Sequence, residues 1–146
     1  MKLTKTKNLT FYTPEINDDT GAIFVDTTVS AGFPSPADDF KEQRISLDKE
    51  LIKNKEATFF ARVSGQSMIG AGLNDNDLLV VDRSLEPENN KIAVCFIDGE
   101  FTVKRLKIEN DCLWLQPENP NYKPIKVTED NDFMIWGIVT SVIKKV

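Results

Sequence analysis

Between Thr58 and Lys144 the chain breaks into seven short apolar runs, and this regular interruption constrains the fold more than any other feature. The runs are Thr58 to Val63, Leu78 to Asp82, Lys91 to Asp98, Glu100 to Ile108, Cys112 to Gln116, Pro124 to Thr128 and Phe133 to Lys144. All are rich in Val, Ile, Phe or Trp, whose branched or flat side chains suit a pleated surface. Turn formers separate them: Asn74-Asp75-Asn76, Pro87 to Asn90, Asp98-Gly99, Glu109-Asn110-Asp111 and Pro117 to Asn121. Asp-Gly between two strand-like runs is a strong hairpin signal. Turns at intervals of roughly eight to twelve residues predict a compact, largely antiparallel β fold with one or two short helices.

The chain ahead of these runs reads differently. From Met1 to about Ser30 it is polar, Thr-rich and broken by Pro14, with short pieces at Leu9 to Tyr12 and Ala22 to Val25 that could form edge strands but not a core. It reads as an arm laid over something else. Ala31-Gly32-Phe33-Pro34-Ser35-Pro36 forms a hinge, in which Ser35 can cap a short helix with Pro36 at its first position and Asp38 in its first turn. Ser46 is a second cap, ahead of Leu47, Leu51 and Ile52, and Asn54-Lys55 ends that helix. The organisation expected is an N-terminal arm over residues 1–31 and a β-rich domain over residues 32–146.

Composition narrows the chemistry. At 146 residues the chain suits a single core. A net charge of −5 disfavours direct binding to duplex DNA, which needs a basic face to displace counterions. Histidine is absent, so a Ser-His-Asp triad is impossible and the commonest zinc ligand is missing. Cys95 and Cys112 stand in strand-like runs without metal-ligand spacing and read as thiols in a reducing cytoplasm. No metal or cofactor is expected. No apolar run approaches membrane-spanning length, and Met1 to Lys7 precedes no signal-peptide core, so a cytoplasmic protein without a membrane anchor is expected.

The remaining route to hydrolytic chemistry is a serine with a different base. Ser67, in Val63-Ser64-Gly65-Gln66-Ser67-Met68-Ile69, comes after an apolar run at a glycine-containing turn, where a hydroxyl and nearby N–H groups can be presented at a corner. Such turns are ordinary by themselves. Along the run from Glu100, Thr102, Lys104, Leu106 and Ile108 share a face. A lysine on such a face loses water, which lowers its pKa and frees a neutral amine to take a proton, and Thr102 could orient that amine. Lys104 could then deprotonate Ser67, and N–H groups around Gln66 and Ser67 could hold the oxyanion. Ala31-Gly32 offers a bond to cut: a small residue, then a glycine that admits close backbone approach, with Pro34 stiffening the chain beyond it.

Ala31-Gly32-Phe33-Pro34-Ser35-Pro36, Ser64-Gly65-Gln66-Ser67-Met68 and Gly99-Glu100-Phe101-Thr102-Val103-Lys104-Arg105-Leu106 together resemble the cleavage site, nucleophile motif and lysine motif of the LexA/UmuD self-cleaving family. The resemblance runs from about Ala31 to the final strand around Trp136-Gly137-Ile138-Val139 and is nearest the UmuD branch, because the thirty residues ahead of it are too few and too unpatterned for a helix-turn-helix domain. It implies a homodimer in a bacterial DNA-damage response. Such a protein cuts itself at Ala31-Gly32 when a RecA filament on single-stranded DNA engages it, then serves a UmuC-type translesion polymerase. One departure is Asn76, which stands where the family usually has glycine. Asparagine tolerates left-handed backbone, so the turn should survive. Two other classes are a non-cleaving interaction module and a truncated repressor, the latter disfavoured by the acidic balance.

Overall fold

The computed structural model describes residues 2–5, 8–15, 22–25 and 42–146. Among these, β1 (Lys2–Lys5), β2 (Leu9–Tyr12), β3 (Ala22–Val25) and β4 (Glu42–Ile45) precede one short helix, α1 (Leu47–Leu51). Beyond it come β5 (Thr58–Val63), β6 (Leu78–Asp82), β7 (Ile92–Ile97), β8 (Glu100–Glu109), β9 (Cys112–Gln116), β10 (Ile125–Lys126) and β11 (Phe133–Ile143). All seven expected runs are strands, and six match within one residue at each end. The exception is the run from Pro124, which pairs with β9 only at Ile125 and Lys126. Proline supplies no N–H to a ladder, so pairing starts after it.

The chain divides into two compact units, Met1–Pro14 with Asn54–Val146, and Glu15–Lys53. In the smaller unit β3 and β4 pair antiparallel, from Ala22 opposite Ile45 to Val25 opposite Glu42. Ser46 caps α1 as expected, accepting from the Lys49 N–H at 3.4 Å. The helix stops at Ile52, whose N–H bonds Asp48 O, rather than at Asn54-Lys55. The helix expected behind Ser35 and Pro36 lies outside the described residues.

In the larger unit nine strands form one antiparallel sheet in the order β1-β2-β5-β6-β11-β7-β8-β9-β10. The mostly antiparallel β architecture expected from the sequence is what the chain adopts. Asp98 and Gly99 take φ of 49° and 88° between Ile97 and Glu100, the two left-handed residues that let a tight hairpin follow the strand twist. Asn76 also lies in the left-handed region, at φ 69°, so the turn does survive without glycine.

Both faces of the central strands are buried. Val94 and Val103 enter one cluster with Leu9, Phe11, Ala61, Met68, Leu79 and Val81, while Ala93, Cys95 and Leu106 enter a second with Leu115 and Ile138. Alternate residues of a strand point to opposite faces, so two cores on one strand produce the unbroken apolar run of Ile92–Ile97. β11 joins the two halves of the sheet, with Ile138 opposite both Asp82 and Ala93, and shifts register between Ile135 and Gly137. A Cβ at Gly137 would stand 2.6 Å from Val81 Cγ1, so the crossing needs glycine.

The early segment departs from expectation. Leu9–Tyr12 is not an edge strand outside the core: it lies between β1 and β5, and Leu9 and Phe11 are 1% and 4% exposed. Its alternation turns both apolar residues to one face, where long-range pairing with β5 supplies the partners. Among the described residues no helix is long and apolar enough to cross a membrane.

Candidate functional site

Ser67 lies in the loop that leaves β5. Gly65, at φ 114°, turns the chain, and its N–H bonds Asp75 Oδ1 at 2.9 Å. Val63 exchanges hydrogen bonds with the Asn74–Asp77 turn, donating to Asp77 O and accepting from Asn76 N, each at 2.9 Å. Met68, 3% exposed, plugs the next 3-10 turn into the core. The Ser67 hydroxyl is thereby held over the groove while its neighbour is anchored below.

Lys104 approaches from β8. Cross-strand pairing sets it opposite Ala93 and sets Thr102 opposite Cys95, so the amine emerges from an apolar face. Its Nζ lies 3.0 Å from Ser67 Oγ, 2.7 Å from Thr102 Oγ1 and 3.1 Å from Val103 O. Lys104 is only 6% exposed, and burial holds its amine below the ordinary lysine value, with the charge of Cys95 pulling the other way. That pull is weak near neutrality, because burial pushes the Cys95 thiol up to about 12 and keeps it uncharged. A neutral amine has two N–H groups and one lone pair. Donating to Thr102 Oγ1 and Val103 O would direct the lone pair at the Ser67 hydroxyl.

Three sequence-derived residues, Ser67, Lys104 and Thr102, thus meet within one groove, which Gln66, Met68, Leu73, Tyr122, Asn8 and Leu9 also line. Among the described residues the N–H groups of Gln66 and Ser67 donate to no acceptor, so both are available to an anion. Of Lys104's expected face companions Leu106 is buried, but Ile108 is 51% exposed and does not desolvate the amine. Ala31 and Gly32 lie outside the described residues.

The sequence reading missed a second support for the Ser67 loop. Glu118 N donates to Ser67 O at 2.8 Å, Gly70 N donates to Glu118 O at 2.7 Å, and Asn119 Nδ2 donates to Gln66 O at 2.9 Å. Asn119 is 7% exposed and also accepts from Asn121 N. Arg105, next to Lys104 on β8, bonds the Glu118 carboxylate at 2.6 Å. Pro117 to Asn121 read only as a turn, since an asparagine between prolines carries no signal that its amide reaches back about fifty residues. A third tie is the ion pair between Lys144 and Asp77 at the turn beside Gly65. Burial alone would raise Asp77, but the Lys144 hydrogen bond, the Asn74 N–H and the Lys144 charge outweigh it and hold the carboxyl below its usual range.

The chain is similar to known proteins over most of its length. Protein MucA of Salmonella typhimurium is 43% identical over 114 residues, 77% of each chain, and Protein ImpA of Shigella flexneri is 43% identical over 116 residues, 79% of this chain and 78% of its own. The LexA repressor of Stenotrophomonas maltophilia is 39% identical over 116 residues, 80% of this chain but 54% of the repressor. The Peptidase S24-like family matches residues 23–140, a span that holds the serine turn, the lysine strand and the sheet between them. A chain with a buried amine against a turn serine, matched over most of its length by that family, belongs to the S24-like peptidases.

Proposed function

We propose that this chain is a UmuD-like protein of SOS mutagenesis that cuts its own Ala31-Gly32 bond with Ser67 as nucleophile and Lys104 as general base. Residues 1–31 are then the arm removed, and residues 32–146 the peptidase-like domain that remains. The observation that carries the reading is the 3.0 Å approach of Lys104 Nζ to Ser67 Oγ in a groove that keeps the amine short of water. The relatives support the setting.

The chemistry uses only the groups present. Neutral Lys104 takes the Ser67 proton as Oγ attacks the Ala31 carbonyl carbon, and the oxyanion turns toward the N–H groups of Gln66 and Ser67. Collapse breaks the Ala31-Gly32 bond, and the Lys104 ammonium gives its proton to the departing Gly32 amine. Ser67 is left esterified to Ala31. Lys104 next deprotonates a water that hydrolyses the ester, freeing the Ala31 carboxylate and restoring the hydroxyl. Thr102 keeps the amine aimed throughout. In the family's manner the protein works as a cytoplasmic homodimer, a RecA filament on single-stranded DNA stimulates the cut, and the processed form serves a UmuC-type translesion polymerase.

Alkaline incubation of purified protein and then mass spectrometry test the reading. The expected product begins at Gly32 and is absent from Ser67→Ala and Lys104→Ala proteins. Intact wild-type chain after prolonged incubation with RecA filament would instead favour a non-cleaving interaction module.

A further inference from the structure

The groove around Ser67 is lined by one large apolar side chain that the core does not use. Leu9, Met68, Leu73 and Val103 line it too, but each is at most 7% exposed and belongs to the packed cluster beneath. Tyr122 is 46% exposed and supplies the one aromatic ring among the described lining residues. That ring packs on no other ring, and its hydroxyl bonds no group among the described residues. The backbone that carries it is nevertheless firmly held. Tyr122 N donates to Asn119 O and Asn121 N to Asn119 Oδ1, each at 3.0 Å, while the Asn119 amide bonds Gln66 O at 2.9 Å. Pro120 and Pro124 fix φ on either side. The ring is thus fastened to the loop that presents the nucleophile. An apolar ring left open on a stiff mount suits recognition, because little freedom remains to be lost when a ligand covers it.

We infer that Tyr122 is a specificity-determining residue, whose ring packs on an aromatic side chain two residues beyond the bond that Ser67 cuts. In this chain that side chain is Phe33. The inference rests on the proposed self-cleavage for the place of the cut, and it deepens that reading by naming the substrate class: an extended segment, small at the cut and aromatic two residues on. Attack by Ser67 fixes the Ala31 carbonyl carbon at Oγ. An extended chain rises about 3.3 Å per residue and alternates its sides, so a bound substrate puts the Phe33 side chain on the side of Ala31, about 7 Å further along. Gly32 between them has no side chain to compete for the groove. The Ala31 methyl needs little room beside buried neighbours, whereas a phenyl ring needs an open apolar partner, and Tyr122 is the one the groove offers. Contact between the two rings holds the segment that begins at the Gly32 amine, the group that must receive the Lys104 proton. Tyr122 moves no proton itself, so the ring matters and the hydroxyl does not.

Alkaline self-cleavage rates of full-length wild type, Tyr122→Ala, Phe33→Ala and the doubly substituted chain test this, with Tyr122→Phe as the hydroxyl control. Each single alanine should slow the cut by about tenfold, and the double chain should be no slower than either single one. Tyr122→Phe should cut at the wild-type rate. A wild-type rate in Tyr122→Ala overturns the inference. So do effects that multiply in the double chain, because a tyrosine that merely stiffened the turn would act without regard to Phe33. An uncut wild-type chain refutes the cleavage reading instead, and ring NMR then judges Tyr122. The chain has two tyrosines, Tyr12 and Tyr122, so ring labelling gives two signals. The host is full-length protein with Ser67→Ala and Phe33→Ala, which neither cuts nor offers its own phenyl ring. The peptide of residues 28–36, Thr-Val-Ser-Ala-Gly-Phe-Pro-Ser-Pro, should shift the Tyr122 signal at concentrations on the order of millimolar and leave Tyr12 unmoved. The same peptide with Ala in place of Phe should have no effect. Equal shifts with both peptides, or none with either, overturn the inference.

Discussion

Replacing Gly70 by alanine should slow the reaction at Ser67 far more than it destabilises the fold. A Cβ at Gly70 would lie 2.6 Å from Glu118 O and 3.3 Å from Glu118 C, both backbone atoms that no side-chain rotation can move away. Relief requires separating the 3-10 turn from the Glu118 backbone by roughly half an ångström or more, since carbon and oxygen do not pack that closely. That motion stretches the 2.7 Å bond from Gly70 N and strains the 2.8 Å bond from Glu118 N to Ser67 O. Two weakened hydrogen bonds cost about 1–3 kcal/mol, which a domain stable by about 5–15 kcal/mol survives. The serine, however, shifts with the turn, and a misplacement near 1 Å costs on the order of a hundredfold in rate. Gly72 supplies the control. At φ 79° an alanine there is strained by about 1–2 kcal/mol, yet its Cβ would meet nothing within 4 Å. Urea unfolding should therefore show similar losses for Gly70→Ala and Gly72→Ala, while alkaline self-cleavage at a temperature where both are folded falls about a hundredfold only in the first. Equal cleavage rates in the two proteins would mean that the Glu118 contact does not set the position of Ser67.

The same groups carry further expectations. Cleavage should accelerate as pH rises toward the lowered Lys104 value, where the amine becomes neutral, and level off above it; a rate flat from neutral to strongly alkaline pH would remove the titrating lysine. Because the unfolded chain binds the lysine proton more tightly than the folded one, Lys104 weakens the fold below the unfolded value and the penalty fades as pH rises. Lys104→Met should thus abolish the cut yet raise neutral-pH stability by about 1 kcal/mol, read as a higher urea midpoint. Asn119→Asp keeps the size and the acceptor for Asn121 N but loses the donor to Gln66 O, so cleavage at the alkaline plateau should fall by about tenfold or more; an unchanged rate would make that bond incidental. Asp77 is held low, so it stabilises the fold above the unfolded carboxyl value and loses that contribution as pH falls through the folded one. Asp77→Asn should cost about 1–2 kcal/mol at neutral pH, and the gap to wild type should close in acid.

What could be read from the chain depended on how far each signal had to reach. Asp98-Gly99, Asn76 and Ser46 act on their own backbone within three residues, and each behaves as its chemistry dictates. The strands from Thr58 onward were legible because both faces of the middle ones are apolar and turn formers bound them. The buried role of Leu9 and Phe11 was not legible, for a four-residue alternating piece says nothing about whether a strand some fifty residues later will cover it. Ser67 and Lys104 stood out through their motifs, and Thr102 through strand periodicity. Asn119 and Glu118 act through main-chain atoms of the Ser67 loop, and a main-chain partner leaves no trace in residue type.

The place of β11 in the sheet has a consequence for timing. The half that carries Ser67, β5 with β6, and the half that carries Lys104, β7 with β8, are bridged by β11, the last of the eleven described strands to leave the ribosome. A nascent chain lacking residues 133–143 has no strand to zip the two halves together. Under the proposed reaction, hydroxyl and amine should be held firmly in register only once β11 has been made, so that a growing polypeptide would be slow to cut itself.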